Sequence, residues 1–205
     1  TLLSIIFSLF FATNSFSHLK HYQDINYLEY ELYRNNNLIG THKYNFIKNG
    51  DNLTVKSVVN FKITKLGIDL YKYFAESEEK YKKNRFSSFN SKTLQNKKKK
   101  YVNISLKKKE NKLLIDGSSF KGDTDTDYVV GTWWNHEIVK AKAQISAISG
   151  RVIHQKVEFL GKKQIEVNGK KYETLHFKFL SSDARKAFLT TLGILFSGIN
   201  ILSSV

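Results

Sequence analysis

Period-two alternation of apolar and polar residues predicts a mainly β fold: an antiparallel curved sheet or half-barrel built from meanders, with one short helix and an apolar C-terminal segment. Three observations carry this. The stretch from Arg151 to Leu180 alternates clearly, with Ile153, Val157 and Phe159, then Ile165 and Val167, then Leu175, Phe177 and Phe179 set against polar neighbours. Asn168-Gly169 between the second and third runs suits the positive φ angles of a type I′ hairpin turn, and Gly161 with Lys162 and Lys163 supplies another turn, so three antiparallel strands are expected here. Aromatic residues at 14% favour strands, and hydrophobic residues at 41% suffice for a core.

The rest of the chain follows the same pattern. Ile25–Arg34 alternates through Leu28, Tyr30 and Leu32, Asn35-Asn36-Asn37 turns, and Leu38–Lys48 returns with Tyr44 and Phe46 on one face. Asn49-Gly50-Asp51 is a second turn, and Leu53–Ile63 carries Leu53, Val55, Val59 and Phe61. Gly67 breaks the chain before a fourth strand, Ile68–Lys80, whose helical alternative rests on Glu76, Glu78, Glu79 and Lys80. Arg85–Leu94, Tyr101–Leu106 and Lys112–Ile115 are further strands, with Gln95–Lys100 as a polar turn. Ser118–Val130 reads as a loop, and Glu137–Ile148 has weak helical character.

The two ends are apolar. Leu2–Ala12 is an uncharged run followed by Thr13–Ser17 with small residues at Ser15 and Ser17, the form of a secretory signal peptide over residues 1–17. The run is short for a spanning helix, which needs about 20 residues. A single β domain is expected over residues 18–183, in a periplasmic or secreted protein that does not meet cytosolic nucleic acid. Residues 184–205 include the uncharged Ala187–Val205, readable as a transmembrane helix, a buried terminal helix or an artefactual end.

Chemistry is sparse. Cysteine is absent, which removes thiol nucleophiles, disulfides and zinc-thiolate sites. The six histidines, His18, His21, His42, His136, His154 and His176, form no HExxH and no close metal pair, and no P-loop, dinucleotide fingerprint or nucleophile elbow occurs. Asp123, Asp125 and Asp127 match the start of a calcium loop, but Tyr128 and Trp134 stand where it needs Gly and Glu. No metal, cofactor or catalytic residue is therefore expected. His136-Glu137 beside Trp133-Trp134 has the one site-like composition, as a hydrolase or as a loop held by two aromatics. The presumed inner-face aromatics either fill the core or line a cavity for an apolar or amphiphilic, lipid-like ligand, with Tyr30, Tyr44, Phe46, Phe61, Phe74, Trp133, Trp134, Phe159 and Phe177 as its wall. A net charge of +15 fits contact with an anionic envelope lipid or polymer, and equally the solvated lysine surface that an AT-rich base composition writes.

Tyr30, Gly40, Tyr71, Tyr73, Glu79-Lys80-Tyr81, Phe86, Trp134, Gly150, Val157, Gly161, Val167, Gly169 and Tyr172 together resemble a family of secreted proteobacterial proteins of unknown function. The resemblance spans about Ile25 to Phe179 and implies a signal peptide and a mainly antiparallel β domain, with no activity and no catalytic residues. The architecture is similar to that of curved-sheet periplasmic carriers of lipids and lipoproteins. After Ser181-Ser182-Asp183 the sequence leaves the family pattern, which continues with a Trp-Tyr-Asp-type strand and a final apolar strand; a shifted reading frame would explain the departure.

Overall fold

The computed structural model describes residues 24–167, 169–181, 190–195 and 201–204, the last two segments as backbone. The expected signal peptide, His18, His21 and Asn168 lie outside them. Mainly β architecture in antiparallel curved sheets is what the alternation produces. Strands β1 (Tyr27–Arg34), β2 (Asn37–Asn49), β3 (Asn52–Lys65), β4 (Ile68–Lys82), β5 (Arg85–Gln95), β6 (Lys98–Lys107), β7 (Lys112–Gly117) and β8 (Lys121–Asp125) form one meander in chain order. Most of its turns use residues that accept positive φ: Asn35-Asn36, Gly50, Gly67, Asn84, Asn96 and Asn111. Leu66 and Lys83 are the exceptions, each at φ 50° where asparagine would sit more easily.

The second sheet has the order β9 (Val129–Val130), β10 (Ala143–Ile145), β11 (Val152–Val167), β12 (Lys170–Ser181), β13 (Thr190–Leu195), β14 (Ile201–Ser204). Among the described residues of this sheet, only the β9–β10 pair is parallel. The described parts of the apolar C-terminal segment are thus strands extending the sheet beyond β12. Among the described residues no helix is long and apolar enough to cross a membrane.

Three expectations change. The meander over Arg151–Leu180 is a two-strand hairpin: β11 runs through Gly161, where the register shifts past Phe159 and the glycine takes φ 105°. A bulge and a turn both call for a positive-φ glycine, and only the pairing partner distinguishes them. Ser118–Val130 is not a loop throughout, because Lys121–Asp125 pairs with β7. As a polar edge strand it lacks the apolar alternation that marks a half-buried one. The helical stretch Glu137–Ile148 reduces to a 3-10 turn at His136–Val139 followed by β10.

The core lies where the segment from Val129 to Gly150 crosses the inner face of the first sheet. Phe89, Val102, Ile104, Leu113 and Ile115 pack against Val130 and Ile145. Leu28, Tyr44, Phe46, Val55 and Tyr81 pack around Trp134. A third, smaller cluster joins Ile138 to Phe179, with Trp133, Val157 and Phe177 against it. Polar ties fix the crossing segment: Gln155 Nε2 donates to the carbonyls of Ile138 (2.8 Å) and Ala141 (3.0 Å), and Ser91 Oγ donates to the Ala147 carbonyl at 2.5 Å. Gly150, at φ 78°, lets this segment approach β7, since a Cβ there would stand 3.0 Å from Ile115 Cγ2 and 3.1 Å from the Gly117 Cα.

Candidate functional site

Residues on the inner face of β4 are odd-numbered, so Glu79 shares that face with Tyr73, Ala75, Ser77 and Tyr81. Its cross-strand neighbours are Val55 and Phe89, both fully buried. The carboxylate is therefore held inside the core, at 1% exposure. A buried carboxylate needs donors, and the crossing segment brings two of them. Trp134 Nε1 donates to Glu79 Oε2 at 2.9 Å and Thr132 Oγ1 donates to the same oxygen at 3.1 Å. The Tyr81 hydroxyl donates to Oε1 and in turn accepts from Asn135 Nδ2 at 3.3 Å. Asn135 Oδ1 caps the 3-10 turn by accepting from the Glu137 amide at 3.0 Å.

Burial raises the Glu79 carboxyl above its ordinary range, against the three hydrogen bonds that favour its ionised form. Burial also raises Tyr81 well above the usual phenol range, and the neighbouring Glu79 adds to it. Nearby, His42 is pushed down to about 4 by burial, with its Nδ1 3.3 Å from the Tyr44 hydroxyl. Its Nε2 is buried and has no hydrogen-bond partner among the described residues. The Tyr44 hydroxyl donates to the Thr132 carbonyl at 2.5 Å, linking this group to the Glu79 network.

The network floors a cleft of about 360 Å³ between the first sheet and the crossing segment. Phe86, Leu113, Val129 and Val130 give it apolar walls, while Asp127, Glu137 and Lys140 supply charge. Trp133, at φ 66°, sits in a conformation that a bulky side chain rarely adopts and that costs about 1–2 kcal/mol. The two neighbouring indoles have different partners. Trp133 meets Phe179 edge-on at 5.5 Å, and Trp134 meets Phe46 at 5.5 Å and Tyr81 at 5.8 Å.

None of the nine aromatics expected to line a cavity borders this cleft. Tyr44, Phe46 and Trp134 are filled core, with Tyr30 packed against them. Trp133 and Phe177 belong to the small cluster around Phe179. Phe61 and Phe74 border a second hollow of about 600 Å³ at one end of the sheet. Phe74 and Phe159 depart from the expected inner wall in different ways. Phe74 directly follows the inward Tyr73, so period two turns it outward. Phe159 keeps the face of Val157 and meets its cross-strand partner Phe177 at 5.3 Å, yet it is 58% exposed, because among the described residues nothing covers that part of the hairpin. Of the pair His136-Glu137, Glu137 borders the cleft, 3.5 Å from Lys140, and His136 does not. Among the described residues no three His, Cys, Asp or Glu side chains gather to hold a metal ion. Asp123 pairs with Lys107 at 3.2 Å, whereas Asp127 borders the cleft.

Sequence reasoning alone misses Thr132 and Asn135, which carry no motif. Glu79, Tyr81, Phe86 and Trp134 are among the residues that carry the family resemblance, and the fold brings those four together. No curated protein and no solved structure matches the chain. A family model, described as a domain of unknown function (DUF6134), matches residues 30–193, most of the chain's length, and the chain belongs to that family.

Proposed function

We propose that this chain is an exported binding protein for a small amphiphilic, lipid-like ligand, held in the cleft between the first sheet and the crossing segment. The observation that carries this reading is the cleft: about 360 Å³, walled by Phe86, Leu113, Val129 and Val130, with charged groups at Asp127, Glu137 and Lys140. Ligand sites are typically concave, mostly apolar and supplied with a few placed polar groups. The apolar body of the ligand lies on those walls, and its polar head meets Lys140 or the Asp127 and Glu137 carboxylates. Glu79, Tyr81 and Asn135 hold the floor rigid, since their polar groups bond to one another. The export part of the reading rests on the apolar run Leu2–Ala12 and the small residues after it.

The test is native mass spectrometry of the purified full chain, together with decanoate titration followed by tryptophan fluorescence. Thr126 is exposed and borders the cleft, so Thr126→Trp fills the cleft without entering the core. A co-purifying small molecule, or saturable decanoate binding, that disappears in T126W at an unchanged melting temperature is the expected result. Binding that survives in T126W would place the ligand elsewhere, and no binding in either assay would end the proposal.

A further inference from the structure

The meander brings the turns Asn35-Asn36, Leu66-Gly67 and Asn96-Lys97 to one end of the first sheet, because alternate turns of an antiparallel meander share an end. Large apolar side chains stand exposed there: Leu66 at 93%, with Ile68 and Leu70 beside it where the register between β3 and β4 shifts, and Phe74 and Leu94 on the outer face behind. Cross-strand pairing sets Thr41, Asn60, Phe74, Leu94 and Lys99 in one row across that face. Phe74 and Leu94 floor the hollow of about 600 Å³, flanked by Lys62 and Lys72. Over residues 34–38, 62–72 and 94–100 the sequence places eight cations, four of them the run Lys97–Lys100, against one carboxylate, Asp69. Asp69 is shared between Lys72 at 2.8 Å and Lys62 at 3.8 Å.

The other end of the sheet is just as basic but has polar turns, Asn49-Gly50-Asp51 and Lys83-Asn84. Charge alone therefore does not mark the first end; the conjunction of charge with exposed apolar groups does. A leucine at a positive-φ turn position is poorly placed both for the backbone and for solvation. The second disadvantage disappears where the side chain's environment is not water.

We propose that this end docks on an anionic phospholipid bilayer. Leu66, Ile68 and Leu70 insert below the headgroups, and Lys62, Lys65, Lys72 and Lys97–Lys99 lie among the phosphates. Basic groups around an apolar wedge bind such a surface through both terms, one of them screened by salt. This surface is separate from the ligand cleft, and either can fail without the other.

The test is co-sedimentation of the full chain with phosphatidylcholine vesicles, with and without one-third phosphatidylglycerol, at low and high salt. Binding is expected on the anionic vesicles and is lost at high salt. Leu66→Asn keeps a residue suited to positive φ and removes the apolar tip. It should lower vesicle partitioning about tenfold with a melting temperature equal to or above that of the parent. Lys98→Glu with Lys99→Glu should abolish the preference for anionic vesicles. Equal binding to both vesicle types, no binding, or unchanged binding of L66N would overturn the proposal. So would sedimentation velocity showing a dimer that L66N dissociates, which would assign this end to a second copy of the chain.

Discussion

Strand β4 breaks the usual rule of burial in opposite directions at its two ends. Toward its C-terminal end, Glu79 is sealed in the core under Trp134. Toward its N-terminal end, Ile68, Leu70 and Phe74 face solvent. A register shift at Leu70 sets the first residues of β4 apart, and along the unbroken alternation from Tyr71 to Lys82 the difference lies in what covers each face. The crossing segment covers the inner face at Glu79 and supplies Trp134 and Thr132 as donors. Among the described residues nothing covers the outer face at Phe74. The buried end is held by specific hydrogen bonds and is costly to alter, whereas the exposed end contributes little to stability and is free for an intermolecular role.

That contrast orders the expected effects. Glu79→Ala removes the shared acceptor of the Trp134, Thr132 and Tyr81 donors and opens a cavity, and should cost about 3 kcal/mol, read as a shift in the urea midpoint. An unchanged midpoint would mean that the network contributes nothing to folding.

Acid acts next, through His42. Its folded value of about 4 lies below the ordinary 6.5, so between these values the unfolded chain binds more protons than the folded one. The stability held by neutral His42 is therefore complete above about pH 6.5 and lost as pH falls toward 4, at most about 3 kcal/mol. Glu79 opposes this, because a carboxyl raised by burial disfavours the fold as pH climbs above its ordinary 4.5 and through the raised value. Urea unfolding at pH 7 and pH 5 should show the acid loss in the parent and a smaller one in His42→Phe; equal losses would remove His42 as the cause.

Smaller still is Tyr44→Phe, which removes the donor to the Thr132 carbonyl and should cost about 1 kcal/mol by the same measurement. Smallest is Phe74→Ser, 40% exposed in the parent and expected to change stability by under about 0.5 kcal/mol. A loss comparable to that of Glu79→Ala would show that the two ends do not differ as described.

Much of this fold is legible residue by residue. Period two places β1 to β7 and both strands of the β11–β12 hairpin, and asparagine and glycine mark the turns, because both signals are local. The site is less legible. Glu76, Glu78, Glu79 and Lys80 read as support for a helical alternative, yet the parity of Glu79 with Tyr73 and Tyr81 already puts it on the inner face. Thr132 and Asn135 leave no such trace, since their roles come from where an irregular segment is laid.

The sequence by itself determined strands β1 to β7, their order in the meander and most of its turns, because side-chain period and turn conformation depend on neighbours in the chain. Tertiary structure decided three things. Gly161 is a bulge rather than a turn because β12 pairs on both sides of it. The polar run Lys121–Asp125 is a strand because β7 has an edge to offer it. The crossing segment places Trp134 and Thr132 against Glu79 from more than fifty residues away. Each is set by which partner a group meets across space, and local alternation carries no record of that.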